Sequence, residues 1–250
     1  MSAHIEFRDV SVHYGPKQAL DELTFSVGKN TVFGVVGPAN SGKTTMLKCI
    51  NRTIEFIDSA RVTGEVRVSG ESVRDMRDVY ALRRRIGMVF PLPVGLPMSI
   101  YDNVAYAPRR MGMSAKSEID AIVERCLRDS VLWDEVKDRL DLLGTRLSGG
   151  QQQRLTLARA LSLDPEILCL DEFSIAIDPV TTMKIEEVLT RLKSKMTIIL
   201  VTNLTQQARR MADKIAFIND SQLVEWGDTE RMFTRPEKEI TGRYLNGDFG

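Results

Sequence analysis

The residues GPANSGKTT, at 37–45, fit the pattern G-x-x-x-x-G-K-[ST]. That pattern is informative only after a strand and before a helix, and the flanking TVFGVV and TMLKCI predict both. In such a setting the loop turns its backbone N–H groups inward around an anion. The helix N-terminus behind it adds partial positive charge. Gly37, Pro38, Ala39, Asn40, Ser41 and Gly42 then form the cradle, and Lys43 reaches the β- and γ-phosphates of a nucleotide as a point charge. The Thr44 hydroxyl is a ligand for Mg2+, and Thr45 completes the binding stretch.

A second group lies in ILCLDE, at 167–172. Four apolar residues predict a buried strand, and two carboxylates emerge at its C-terminal end, where α/β sheets place ligands. Asp171 is placed to support the Mg2+. Adjacent residues on a strand face opposite ways, so Glu172 has a separate task, as general base or orienter of an attacking water. A third group is LSGGQQQR, at 147–154. Ser148 can cap the helix that follows, and Gly149, Gly150 and Gln151 leave N–H groups open at a second helix N-terminus. Two readings stand on these residues alone: a plain cap, or a site for the γ-phosphate held by another copy of the chain. TIILVTNLTQQ, at 197–207, is an apolar strand that ends in Thr202 and Asn203, a polar terminus suited to a functional cleft.

These groups need elements to hold them. Residues 4–36 alternate polar and apolar in HIEFRDVSVHY, LDELTFSV and NTVFGVVG. The alternation predicts strands, with turns at Gly15 with Pro16 and at Gly28, Lys29 and Asn30. A helix follows from Lys43 to about Arg52, GEVRVSG is a short strand, and DVYALRRRIGMVF is a helix running into a strand. PLPVGLPMS holds three prolines and predicts a rigid, non-helical connection. Residues 114–143 have a helical period, with Ser114 and Ser117 offering an N-cap. A further helix starts near Gly150 and ends by Pro165. Strand and helix then alternate: EILCLDE, PVTTMKIEEVLTRLKS, MTIILVT, LTQQARRMA as a surface helix, then KIAFIND and QLVEWGD. Such alternation with short links implies an α/β fold whose largely parallel sheet is covered on both faces. Residues 91–163 read as an inserted helical subdomain.

The bulk composition narrows the function classes. The chain has 250 residues, and Lys+Arg and Asp+Glu are both 34, so it lacks the basic excess of a nucleic-acid binder. Cys49, Cys126 and Cys169 lie far apart with no C-x-x-C spacing, which gives neither a zinc site nor a redox pair and fits a reduced cytosol. MSAHIEFRDV lacks the pattern of a signal peptide. No run of about 18 apolar residues occurs, so any membrane role is expected to come through partner chains.

A phosphate loop, an LSGGQ stretch and an apolar strand ending in Asp-Glu together resemble the nucleotide-binding subunit of an ABC transporter, and the resemblance spans the whole chain. It implies an α/β P-loop NTPase of the ABC ATPase type. The expected parts are a mostly parallel central sheet, an N-terminal antiparallel β subdomain, a core at 1–90 and 164–250, and a helical subdomain at 91–163 that carries the signature. It implies ATP and Mg2+ as cofactors and head-to-tail closure of two ATPase subunits, a homodimer or a pair of paralogues. Each LSGGQ would then meet the ATP on its partner's phosphate loop. Two integral-membrane permease subunits, an extracytoplasmic solute-binding protein acting indirectly and a place on the cytoplasmic face of the inner membrane are implied too. IGMVF, PMSIYDNVAY, LSGGQQQR, KIEE, QQARRMADKIAF and FTRPEKEITGRYLNGDFG are similar to the phosphate-importer branch of the family. Importers of other oxyanions or small polar solutes are the neighbouring alternative.

The resemblance further implies that Tyr14 stacks on adenine and that Asp178, in IAIDP, belongs to the loop communicating across the dimer. Asp178 also suits an N-cap before Pro179. Three positions depart from the family's pattern. Pro91 stands where a glutamine usually touches Mg2+ and the attacking water. Phe173, Ser174 and Ile175 replace Pro-Thr-Ser, and Asn203 replaces a histidine that contacts the γ-phosphate. The amide of Asn203 can donate a hydrogen bond but cannot relay a proton as imidazole can. Losing such a contact typically costs about 10²-fold or more in rate. The catalytic set is therefore Lys43, Glu172 and Asn203, with hydrolysis expected to be slow. An ATP-gated regulatory subunit with little turnover is the competing expectation. Soluble ABC ATPases of translation or repair carry paired domains or coiled-coil insertions, which this chain lacks.

Overall fold

The computed structural model describes residues 3–248. The first two residues of MSAHIEFRDV and the last two of FTRPEKEITGRYLNGDFG lie outside the described residues. In chain order the strands are β1 (Ala3–Tyr14), β2 (Lys17–Gly28), β3 (Val32–Val36), β4 (Ala60–Val68), β5 (Glu71–Ser72), β6 (Ile86–Val89), β7 (Ile167–Asp171), β8 (Thr197–Thr202), β9 (Lys214–Asn219) and β10 (Gln222–Asp228). The α-helices are α1 (Lys43–Ile50), α2 (Val79–Arg85), α3 (Ile100–Arg110), α4 (Lys116–Asp129), α5 (Trp133–Val136), α6 (Gly149–Leu161), α7 (Pro179–Leu192), α8 (Thr205–Met211), α9 (Thr229–Thr234) and α10 (Glu239–Leu245).

The strands form one sheet in the order β5-β4-β1-β2-β10-β9-β3-β8-β7-β6. From β9 to β6 the pairing is parallel, and β1, β2, β4 and β5 pair antiparallel. The expected α/β class, with its mostly parallel centre and N-terminal antiparallel part, is what the chain adopts. A bridge between Gln222 and Asp21 joins the two parts. The hairpin of β1 and β2 turns at Gly15, whose φ of 56° lies in the left-handed region. Stacked rings of Phe7, Phe25 and Phe33, with centroids 4.7 and 5.4 Å apart, tie it to the central sheet.

Alternation along the parallel strands divides the interior. Ile167, Cys169, Ile199 and Val201 join α1 residues Met46, Leu47 and Ile50 in one cluster, which extends into the antiparallel strands. Leu168, Leu170, Ile198 and Leu200 face the other way. They share a cluster with Ile100, Val104, Ile119, Val123, Leu155 and Ala158 of α3, α4 and α6. The period of two puts successive side chains on opposite faces, so each parallel strand holds a helical layer on either side. The helices between residues 100 and 161 thus pack on the sheet face rather than around a separate interior.

Four local expectations need correction. The helical run at 114–143 is not one element. α4 stops at Asp129, Val131 takes a φ of 56°, and the short α5 follows. A β-branched residue in the left-handed region breaks the helix, and the break lets Leu132 and Val136 enter the interior. Neither Ser114 nor Ser117 caps α4; its N-cap is Ala115, with no side-chain hydrogen bond. β4 begins at Ala60, four residues before Gly64, because it pairs along the far half of β1 up to Tyr14. Gln207 of α8 is not on the surface, being 1% exposed.

Candidate active site

The loop after β3 is shaped by its glycines. Gly37 has a φ of 156°, and a Cβ there would stand 2.0 Å from the Ile218 carbonyl oxygen. Gly42 has a φ of 106°, and a Cβ would stand 2.3 Å from the Ala19 carbonyl oxygen. Asn40 also takes a left-handed φ, of 63°. Gly42 is the N-cap of α1 and offers no side chain to its N–H groups, so the first turn keeps donors free for an anion. Ser41 Oγ is buried without a partner, an orphan polar atom in the same cradle. Lys43, 5% exposed, donates through Nζ to the carbonyls of Gly37 and Pro38, each at 2.7 Å.

Strand register brings the second group to this loop. Asp171 pairs with Val201, and Val36 pairs with Thr202, so β7, β8 and β3 end at one rim. Thr44 Oγ1 donates to Asp171 Oδ2 at 2.7 Å across 127 residues of chain. Burial pushes the Asp171 carboxyl above its ordinary range; the Thr44 bond and Lys43 oppose this, and the Glu172 carboxylate adds to it. Burial lowers the Lys43 ammonium, against the pull of Glu172 and Asp171. Glu172 leaves the strand with a φ of 47°, its N–H bonded to the Val201 carbonyl at 2.9 Å. It lines a cleft of about 290 Å³ together with Tyr14, Lys17, Ala19 and the loop residues from Ala39 to Thr45. Tyr14 Oη lies 3.1 Å from Thr45 Oγ1, so its ring stands at the cleft wall.

The remaining residues singled out from sequence do not line this cleft. Asn203 is exposed and does not line the cleft; it follows Thr202 at the same rim. Ser148 forms a capping box with Gln151, accepting its N–H at 3.4 Å while Gln151 Oε1 accepts the Ser148 N–H at 3.1 Å. Ser148 and Gly149 are exposed, and none of the four signature residues lines the cleft of their own chain. Gly150 needs its missing side chain, since a Cβ would stand 2.8 Å from the Ala176 carbonyl oxygen. Asp178 caps α7 by accepting the Thr181 N–H at 2.9 Å, which holds its carboxyl below the usual range. Pro91 lies two residues beyond β6, and Gln153 Nε2 donates to the neighbouring Phe90 carbonyl at 2.9 Å.

Sequence reasoning missed Lys17 and Ala19 on the cleft wall. Lys17 was within reach, because a tight turn after Tyr14 sets the two opposite each other. Glu135 was missed as well. It accepts from Gln151 at 2.8 Å and from the buried Arg154 at 2.6 and 3.1 Å, and so anchors the signature helix. Its partners lie 16 and 19 residues away, a separation no local pattern reports.

A cradle of free N–H groups suits an anion such as a nucleotide phosphate, and the threonine hydroxyl and carboxylate beside it are hard oxygen donors. The chain belongs to the ABC transporter family, whose model matches residues 20–174. Over 247 residues it is 45% identical to "Phosphate import ATP-binding protein PstB" of Pseudoalteromonas translucida, covering 98% of this chain and 90% of that protein. Among solved structures it resembles a bacterial Atm1-family ABC exporter with ATP bound, with a TM-score of 0.83 at 24% identity. That match covers 97% of this chain and 41% of the exporter, so the chain spans less than half of that protein's length. It also resembles the ATP-binding cassette MJ0796, a dimer bound to ADP and Pi, with a TM-score of 0.78 at 27% identity, covering 90% of this chain and 98% of that one.

Proposed function

We propose that this chain is the ATP-hydrolysing subunit of an importer for inorganic phosphate, with Mg2+ as cofactor. The chemistry rests on one observation above all, the Thr44 hydroxyl held on the Asp171 carboxylate at 2.7 Å beside Lys43. The solute rests on the 45% identity to a phosphate import ATP-binding protein.

Two oxygen donors suit Mg2+, which takes one or two protein oxygens and completes its shell with water and phosphate. Thr44 Oγ1 and Asp171 would hold it, and when bound it neutralises charge on the phosphate oxygens. The loop N–H groups and the unpaired Ser41 Oγ bind phosphate. Lys43 exchanges two loop carbonyls for phosphate oxygens. Tyr14 covers the adenine. Glu172 accepts the proton of the attacking water, and Asn203 donates its amide to the γ-phosphate. Ser148, Gly149, Gly150, Gln151 and Asp178 serve the site of a partner ATPase, which accounts for their lying away from the cleft of their own chain. Residues 91–163 deliver the motion to two membrane subunits at the cytoplasmic face of the inner membrane, and an outer solute-binding protein supplies the phosphate.

Hydrolysis is slow in this reading, because Pro91 lacks an amide side chain and Asn203 lacks an imidazole. The same two residues favour a second reading, a regulatory subunit that binds ATP and turns over little. Single-turnover hydrolysis measured beside nucleotide affinity separates them. The expected rate is about 10²-fold below that of a relative with both usual residues, with affinity intact. Combining Pro91→Gln with Asn203→His should raise it at least about tenfold. Wild-type turnover equal to the relative's would refute slow hydrolysis, and a double variant that gained nothing would favour the regulatory subunit.

A further inference from the structure

Gln207 has no part in the chemistry above, yet it is buried at 1% exposure. Its Nε2 donates to Ser174 Oγ at 3.2 Å and to Glu186 Oε1 at 3.1 Å. Three pieces of chain meet at this amide. Ser174 lies in the loop that runs from Glu172 to Asp178, Glu186 lies in α7, and Gln207 lies in the first turn of α8, just after Asn203. Arg210, three residues on, grips the same carboxylate with guanidinium contacts of 2.9 and 2.8 Å. Its half-exposed side chain closes the group from solvent while Glu186 stays buried.

The amide can point only one way. The carboxylate of Glu186 accepts and does not donate, so the NH2 group must face it. That orientation leaves Gln207 Oε1 buried with no partner. An orphan acceptor in the interior is destabilising, and an apolar residue of the same size would avoid it. Space filling therefore does not account for Gln207, whereas joining the two loops does.

We infer that Gln207 is a positioning residue whose amide fastens the turn at Asn203 to the loop that carries Asp178, so that the two segments move as one piece. The inference rests on the reading above, in which Asn203 meets the γ-phosphate and Asp178 faces the partner chain. A signal from the γ-phosphate of one site then reaches the dimer contact through two buried hydrogen bonds at one amide.

Two variants test it. Gln207→Met keeps the length of the side chain and removes the amide; Ser174→Ala removes the other end of the bond. Hydrogen exchange on the full-length protein without nucleotide comes first. Amides at both 174–178 and 203–206 should exchange at least about threefold faster in Gln207→Met. Acceleration in one segment alone, or in neither, overturns the inference. Steady-state ATP turnover comes second. Each single variant should lose about fivefold or more in kcat with KM for ATP unchanged, and the double variant should be no slower than the slower single. Independent, multiplying losses would overturn the link, as would a fall in melting temperature with kcat unchanged. A wild-type protein without turnover would sink the hydrolysis reading by itself, while the exchange data would still decide the link.

Discussion

Lys43 and Asp171 show how a buried site holds opposed charges in readiness. Burial presses both toward neutrality, and each resists this in the other. The lysine meets its need for acceptors with two loop carbonyls, and the aspartate meets its need for a donor with Thr44. In the function proposed above, these are the bonds a phosphate and a cation would replace. His4, far from this site, carries a prediction about pH. Its Nδ1 lies 2.7 Å from Thr197 Oγ1, and burial lowers its pKa from 6.5, against the pull of Glu166. The unfolded chain therefore takes up a proton at a higher pH than the folded one. Stability is full above the ordinary value and falls as pH drops through it toward the lowered value. Urea midpoints measured from about pH 7.5 down to about pH 5 should fall less steeply in His4→Gln than in the wild type. Equal slopes would show that His4 does not titrate on unfolding.

At the scale of elements, the short α5 matters beyond its length. It places Glu135 to receive both Gln151 and Arg154, so that the signature helix is held at its first two turns. Arg154 is 6% exposed, whereas the Glu135 side chain is 44% exposed. Removing the carboxylate leaves a buried guanidinium with the Val131 carbonyl as its main remaining partner. Glu135→Ala should cost roughly 2 kcal/mol, the pair being partly exposed. Denaturant melts would read the loss, and a change under about 0.5 kcal/mol would show that the anchor is idle. The element order was legible because strand and helix periods differ and glycine and proline mark the joints. The break at Val131 was not, since ERCLRDSVLWDEV keeps an apolar spacing on both sides of it. What breaks the helix is a backbone turn that sends Leu132 inward, a demand set by the interior rather than by local propensity.

At the scale of the molecule, the cleft and the signature residues lie apart within one chain. In the function proposed above, two copies, or a copy and a paralogue, complete each site. With Glu172→Gln to slow hydrolysis, ATP and Mg2+ should shift the protein from monomer to dimer in sedimentation, and Ser148→Arg should prevent the shift. A chain that stays monomeric with saturating nucleotide would refute self-pairing and leave a paralogue as the partner. Among the described residues no helix is long and apolar enough to cross a membrane.

The sequence by itself determined the phosphate loop, the Asp-Glu strand end, the signature cap and the α/β order, because each is a short-range pattern with its own chemistry. The identities of Pro91 and Asn203 were as plain there as they are in the structure. Tertiary structure alone decided that Thr44 meets Asp171, that Glu135 anchors the signature helix, and that Gln207 is buried between two loops. These contacts join residues 16 to 127 positions apart, and one polar side chain in an exposed helix looks the same in sequence as one facing inward. Strand register and the packing of helices on the sheet set those distances, and neither is written in any local stretch.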